Sequence, residues 1–491
     1  MSKSIRAIGC HPQPGSPARM ASVRWALASL SLSMLMPSLD TSIANAGLPV
    51  LAEAFGASFQ QVQWIVLAYL LAITALIVSV GRLGDLLGRR RLLLAGIVIF
   101  SSASIACGVA PTLWLLLVAR AAQGVGAAIM MALSVALVGE TVAKERAGSA
   151  MGLLGTMSAI GTTLGPSFGG FLIAGFGWRT IFLVNLPLGL LNFLLARRWL
   201  PLDRRESNAA RVRFDPAGTS FLAIALVAYA LAMTVGAGHF GSLNIALLSA
   251  AVCGVGLFVR AEMRTTSPLV HPAMLRDSSL TVGLGASALV ATVMMATLVV
   301  GPFYLSRALS LGSTAVGLAL SIGPLAAALA GVPAGHLVDH VGAHRMRTIG
   351  LAGMAAGCCV LSLLPASFGI AGYLMPIVLI TVSYALFQAA NNTVIMMGTR
   401  TDRRGVVSGM LNLSRNLGLI TGAAVMGAVF AHASAAVDVT TANPAAVAAG
   451  MRGTFAVAAT LIGVALAISA AAHAFPRPGG ADVLAGAPDR A

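Results

Sequence analysis

Two residues in this sequence carry charge where charge is costly. Asp40 stands about 16 residues into an apolar run that starts near Arg24, and Arg120 about seven residues into another that starts near Leu113. If the two runs cross a bilayer in opposite directions, a rise of about 1.5 Å per residue puts Asp40 about 24 Å from one face and Arg120 about 10 Å from the other. In a hydrocarbon core about 30 Å thick these depths nearly coincide. A central Asp costs about 2.5–3.5 kcal/mol on insertion scales, and an opposite charge close by is the usual remedy. A carboxylate set against a guanidinium can take up a proton when the two are drawn apart and release it when they meet. Gln123 and Gly124 share the Arg120 face at i+3 and i+4. Asp40 is the one acid of fifteen that falls inside a run; the others lie in loops, tails or run ends. Arg415 also lies deep in a run, without an evident partner. None of Cys10, Cys107, Cys253, Cys358 and Cys359 has zinc-ligand spacing, and neither a nucleophile triad nor a phosphate-binding Gly-Lys-Ser/Thr loop is visible. The expectation is therefore no metal, no cofactor, no ATP and no enzyme chemistry.

The elements that must hold these residues are membrane-spanning helices. Of the 491 residues, 58% are hydrophobic and 9% charged, against roughly 25% charged in soluble domains. Runs long enough to span cover 24–48, 62–82, 92–110, 113–139, 147–172, 179–199, 216–236, 242–260, 279–304, 313–335, 347–365, 371–398, 405–431 and 453–475, fourteen in all. The net charge of +16 does not point to nucleic acid, because the basic residues sit in small groups between apolar runs rather than on one face. Alternating the loops places 26 of the 31 basic residues on one side and only Arg179, Arg307 and Arg452 on the other. That asymmetry predicts cytoplasmic termini and a multi-pass protein of the cell (inner) membrane, with the lipid bilayer as its solvent.

A short pattern occurs twice. Gly81-Arg-Leu-Gly-Asp85-Leu-Leu-Gly88-Arg89 follows run two, and Gly335-His-Leu-Val-Asp339-His-Val-Gly342 follows run ten; both fit Gly-x-Leu-x-Asp-x-x-Gly. Glycine permits close approach and unusual dihedrals, and an Asp suits a helix N-terminus. Two six-run halves alone would put the second copy after run eight, so runs seven and eight read as an insertion. The predicted organisation is a tail 1–23, a bundle 24–200, linkers and two extra helices 201–278, a second bundle 279–475 and a tail 476–491. Within run five, Gly161, Gly165 and Gly169, with Gly170 beside them, leave a stripe free of side chains, and Pro166 removes a backbone donor. Such a stripe admits a close neighbouring helix, and the proline bends its own.

The Gly81–Arg91 stretch resembles the loop signature of the major facilitator superfamily, with Leu86 in place of a usual basic residue. Leu39–Pro49, Gly161–Gly170 and Trp178–Gly189 resemble the first-, fifth- and sixth-span signatures of its fourteen-span drug:proton antiporters. The resemblance implies an all-α membrane protein of the major facilitator fold, with two six-helix bundles and two inserted central helices. It implies proton-coupled export of amphipathic or cationic small molecules, as in multidrug efflux and antibiotic resistance, by alternating access. Asp40 and Arg120 become candidates for proton coupling, and Gly81, Asp85, Gly88, Arg89, Gly335, Asp339 and Gly342 for a gating loop. In that loop Asp85 is expected, in an outward-facing state, near the first backbone N–H groups of run thirteen, or paired with Arg89. Gly161, Gly165, Pro166, Gly169 and Gly170 become the antiporter motif. Tyr69, Met130, Met131, Gln123, Tyr304, Gln388, Asn391 and Asn392 are candidates for the substrate cavity. The partners expected are a small-molecule substrate and protons, with a periplasmic adaptor compatible with the scheme and the carrier itself a monomer. A nutrient or siderophore carrier is the alternative. A membrane sensor is a more distant one, and no loop is long enough for its signalling domain.

Reporter fusions test the topology. Fusions at 208 and 270 should both report the cytoplasm and one at 440 the outside; an outside signal at 270 would remove the two-helix insertion.

Overall fold

The computed structural model describes residues 17–142, 147–203, 216–235, 241–264, 278–397, 404–434 and 442–474. Their regular structure is helical. The first group comprises α1 (Pro17–Phe55), α2 (Phe59–Leu87), α3 (Arg89–Gly108), α4 (Leu113–Thr141), α5 (Ala147–Phe176), the single turn α6 (Thr180–Leu183) and α7 (Asn185–Trp199). A pair follows, α8 (Pro216–Thr234) and α9 (Ser242–Arg264). The second group comprises α10 (Ser278–Phe303), α11 (Ser313–Val341), α12 (Ala343–Leu363), α13 (Gly369–Met397), α14 (Arg404–Thr421), α15 (Gly427–Ala433) and α16 (Pro444–Ala474). A π turn, Gly422–Met426, joins α14 to α15, and another, Tyr304–Ala308, ends α10.

Local chemistry sets the helix ends. Ser58 and Gln61 form a reciprocal capping box at the start of α2, and the Thr112 hydroxyl accepts from the Leu115 amide at the start of α4. The two copies of the loop pattern share a backbone: Gly88 (φ 94°) and Gly342 (φ 99°) each break one helix from the next in a conformation that a side chain resists. At the first copy Asp203 caps α3, accepting from the Arg90 amide at 2.8 Å and the Arg91 amide at 3.2 Å. Run fourteen is longer than the sequence suggests. Pro444 opens α16 and the Asn443 side chain accepts from the Ala446 amide at 2.7 Å, so the helix starts at 444, not 453. Arg452, expected in an outside loop, therefore lies within α16.

Among the described residues, twelve helical segments are long and apolar enough to cross a bilayer. Two of the fourteen expected runs are not among them. The α1 helix is diluted by buried polar residues (Ser29, Ser31, Ser33, Asp40, Ser42 and Asn45), and the described apolar stretch of α8 is Gly218–Thr234. The α8 helix nevertheless lies along α2, bonded through Ser79 to Thr219 (2.6 Å) and through Trp64 to Thr234 (3.1 Å), and reaches α14 through Tyr229 and Thr421 (3.2 Å).

The α5 helix organises the packing. A Cβ added at Gly161, Gly165 or Gly169 would meet α1, at Leu35, Ser42 and Ile43 respectively. Gly170 faces the other group, where a Cβ would come within 2.5 Å of the Ser313 carbonyl. Pro166 cannot donate to the carbonyl of Thr162 one turn earlier; that carbonyl accepts from the Ser42 hydroxyl of α1 at 2.8 Å instead. The neighbouring Ser167 amide donates across the groups to the Ser321 hydroxyl of α11 at 2.9 Å. The same end of the molecule is closed by Glu53 with Arg307 (2.5 Å), by the Gln63 side chain donating to the Ala423 carbonyl (3.1 Å), and by Phe59 edge-on to Phe303 and Phe430. Toward the arginine-rich end, Gly155 of α5 and Gly331 and Gly335 of α11 have nothing within 4 Å.

Gly317 carries a sharp test of this contact, because a Cβ there would collide with the Pro166 carbonyl. Gly317→Ala should cost about 1–3 kcal/mol in thermal unfolding and speed thiol labelling of a cysteine placed at Ser321. Gly331→Ala is the control and should change neither; equal effects from the two would discount the contact.

Candidate functional site

Asp40 is buried near the middle of α1, with 1% of its surface exposed, and Arg120 of α4 is fully buried. Small residues make their meeting possible. A Cβ at Gly124 would come within 2.5 Å of the Tyr69 carbonyl of α2, and one at Gly126 within 2.6 Å of the Phe100 amide of α3, so α4 sits close enough to both for short side chains to bridge. Arg120 donates from Nη1 to Asp40 Oδ2 at 2.5 Å and to Gln123 Oε1 at 2.7 Å, and from Nε to the Ile65 carbonyl at 3.0 Å. Its guanidinium lies 4.3 Å from the centre of the Tyr69 ring, an arrangement that favours a cation. Tyr69 in turn donates to the Pro37 carbonyl at 3.2 Å.

The second carboxylate oxygen is held by amides. Gln123 Nε2 donates to Asp40 Oδ1 at 2.8 Å and to the Ser104 hydroxyl at 2.8 Å, and Asn185 Nδ2 donates to Oδ1 at 2.7 Å. Groups from α1, α2, α3, α4 and α7 thus converge on one ion pair. Two atoms of the cluster are left over: Arg120 Nη2 and Asn185 Oδ1 are buried without a partner. Three donors, one of them cationic, thus hold a carboxylate that has 1% of its surface exposed.

The other residues singled out by sequence separate. Tyr69 and Gln123, expected in the substrate cavity, belong to the Asp40 cluster instead. Met130 is in the packed core and Met131 is half-buried. Tyr304, expected with them, is buried at the closed end, stacked on Tyr373 at 5.9 Å. Gln388, Asn391 and Asn392 do share a space: a cavity of about 150 Å3 between α10, α13 and α14. Of the gating loop, Gly88 and Gly342 form the turns, Asp339 and Gly335 lie at the arginine-rich end, and Arg89 pairs with Glu140 at 2.7 Å. The side chain of Asp85 and the surroundings of Gly81 lie outside the described residues, so the expected Asp85 contact does too. The antiporter stripe splits between α1 and α11 as described above.

Sequence reasoning missed Asn185, Ser104 and the Ile65 carbonyl. Asn185 was visible as an amide inside the Trp178–Gly189 stretch, but nothing in the spacing aims it at Asp40. Ser104 reads as an ordinary small residue of a span.

Comparison with known proteins agrees with the geometry. Residues 30–423 match the model of the Major Facilitator Superfamily. The chain is 32% identical over 406 residues to the uncharacterized transporter YebQ of Escherichia coli, covering 82% of this chain and 88% of that one. It is 32% identical over 417 residues to the multidrug resistance protein Stp of Mycobacterium tuberculosis, covering 82% and 75%. A solved bacterial homolog of the human lysosomal transporter Spinster, in an inward-facing and occupied conformation, superposes with a TM-score of 0.65 at 16% identity over 94% of this chain and 98% of that one; that likeness is one of fold. A multi-pass helical chain with a paired charge buried at its centre, matching this family over most of its length, is a transporter of the major facilitator superfamily.

Proposed function

We propose that the protein is a proton-coupled exporter of small organic compounds working by alternating access, with Asp40 as the proton site. The observation that carries this is the enclosed pair itself. A buried ion pair is a poor way to gain stability, since an apolar replacement often does as well, whereas a carboxylate that must leave its partner to be protonated is suited to coupling. Export, rather than uptake, is supported by the likeness to a multidrug resistance protein and by the antiporter-like stripe Gly161–Gly170.

Fourteen crossings, two bundles divided by 201–278, a monomer, cytoplasmic termini and an inner-membrane location belong to the same proposal. Two features support the crossings beyond twelve: α1 has 39 residues, and α8 is bonded along α2 at positions fifteen residues apart on both helices. In this orientation the tight Gly170–Ser313 end faces outward, and Gly155, Gly331 and Gly335 lie toward the cytoplasm.

Two measurements test the site. Cells with and without the gene, challenged with a panel of toxic compounds with and without a protonophore, should differ only while the proton gradient stands; gradient-driven uptake would reverse the assigned direction. In liposomes, Asp40→Asn should abolish flux driven by a pH gradient while leaving substrate exchange at equilibrium pH; normal driven flux in this variant would reject Asp40 as the coupling site. Arg120→Ala should lower stability by about 3–5 kcal/mol, because it strands a buried carboxylate. Asp40→Asn combined with Arg120→Gln should recover part of the loss in thermal unfolding.

A further inference from the structure

The cavity between α10, α13 and α14 has a chemical bias of its own. Its walls include Arg415 of α14, the amides of Gln388, Asn391, Asn392 and Asn412, and the rings of Tyr384 and Phe387. Among the described residues, no carboxylate lines it. Asn391 donates to the Gly283 carbonyl at 3.1 Å, which leaves its Oδ1 buried and unbonded. Arg415 Nε is also buried without a partner among the described residues. Among the described residues, Asp40 pairs with Arg120, Glu53 with Arg307 and Glu140 with Arg89, and Asp203 caps the start of α3.

A buried guanidinium N–H without an acceptor is costly. Its planar fork matches a carboxylate or sulfonate through paired hydrogen bonds, and the adjoining aromatic rings offer faces to a flat apolar body. A cationic cargo would instead meet a like charge with no acid to offset it.

We infer that this cavity takes organic anions, an aromatic or similarly flat body bearing a carboxylate or sulfonate, with Arg415 recognising the anionic group. The inference rests on the export function proposed above and narrows its cargo, away from the cations that family resemblance suggests. Arg415 is then a specificity-determining residue, and the cavity accounts for an arginine whose Nε has no partner among the described residues.

The test uses two permanently charged probes of matched size, benzenesulfonate and phenyltrimethylammonium, with the full chain in liposomes under an imposed pH gradient. Benzenesulfonate should be carried and phenyltrimethylammonium should not. Arg415→Gln should cut benzenesulfonate flux at least tenfold. Arg415→Lys, which keeps the charge but loses the fork, should raise KM for it with kcat little changed, and serves if the glutamine variant does not fold. Flux of the cation alone, or benzenesulfonate flux indifferent to both substitutions, would overturn the inference. If neither probe moves while cells carrying the gene still extrude toxic compounds, the anion inference falls and the export function stands. If cells show no gradient-dependent export either, the export function itself falls.

Discussion

Inside a hydrocarbon core no water competes for a charge, so an ion pair there has to complete itself from protein groups. The pair of Asp40 on α1 and Arg120 on α4 does so by drawing on groups of four helices: the carbonyl of Ile65 and the ring of Tyr69 from α2, Ser104 from α3, Gln123 from α4 itself and Asn185 from the start of α7. Much of the local architecture follows from this need. The glycines of α4 bring its backbone against α2 and α3, and the Asn185 side-chain amide at the start of α7 donates to Asp40. Each donor is short or neutral apart from the one arginine, so the cluster holds a single negative and a single positive charge and is close to neutral as a whole.

A second constraint comes from Pro166. A proline in a helix leaves a carbonyl without its usual donor, and in a membrane that carbonyl must be answered by a neighbour. Here the answer is a serine of α1, while the next amide along turns to a serine of α11. The proline thus makes α5 a bridge whose backbone is bonded to one group of helices on one side and to the other group on the opposite side. Glycine on both sides of the crossing, at 170 and 317, makes the contact nearly backbone on backbone. Contacts of that kind have a single comfortable spacing, which suits an interface that is either shut or open rather than continuously deformable.

The sequence made the depth of Asp40 and Arg120 legible because depth is only distance along a helix of known rise. It made the repeated turn legible because glycine is needed for the positive φ at positions 88 and 342. It did not make legible which amides would close the cluster, because Asn185 and Ser104 reach Asp40 through the packing of α7 and α3, and a single span carries no record of its neighbours. Tyr69 and Gln123 were read as cavity residues for the same reason: polarity inside a span is visible, but the face it points to is set by the helix beside it. The early start of α16 was hidden by the alanine-rich stretch after Pro444, whose helix is fixed by a proline and an asparagine cap rather than by strong hydrophobicity.

The positions of the two constraints on α1 join them. Ser38 bonds Ser158 of α5 at 2.6 Å, Ser42 bonds the carbonyl freed by Pro166, and Asp40 lies between them, turned toward α4 and α7. A helix places residues two apart on opposite faces, so this one turn of α1 holds the charge cluster on one side and the proline-bearing helix on the other. Loss of the Asp40 charge removes the reason for α1 to stay against Arg120, and any shift of that turn is felt first at Ser38 and Ser42. From there it passes into α5 and on to α11 through Ser167 and Ser321. Neutralising one buried carboxylate can in this way bear on the contact between the two groups without any long-range field, through bonded and packed neighbours alone.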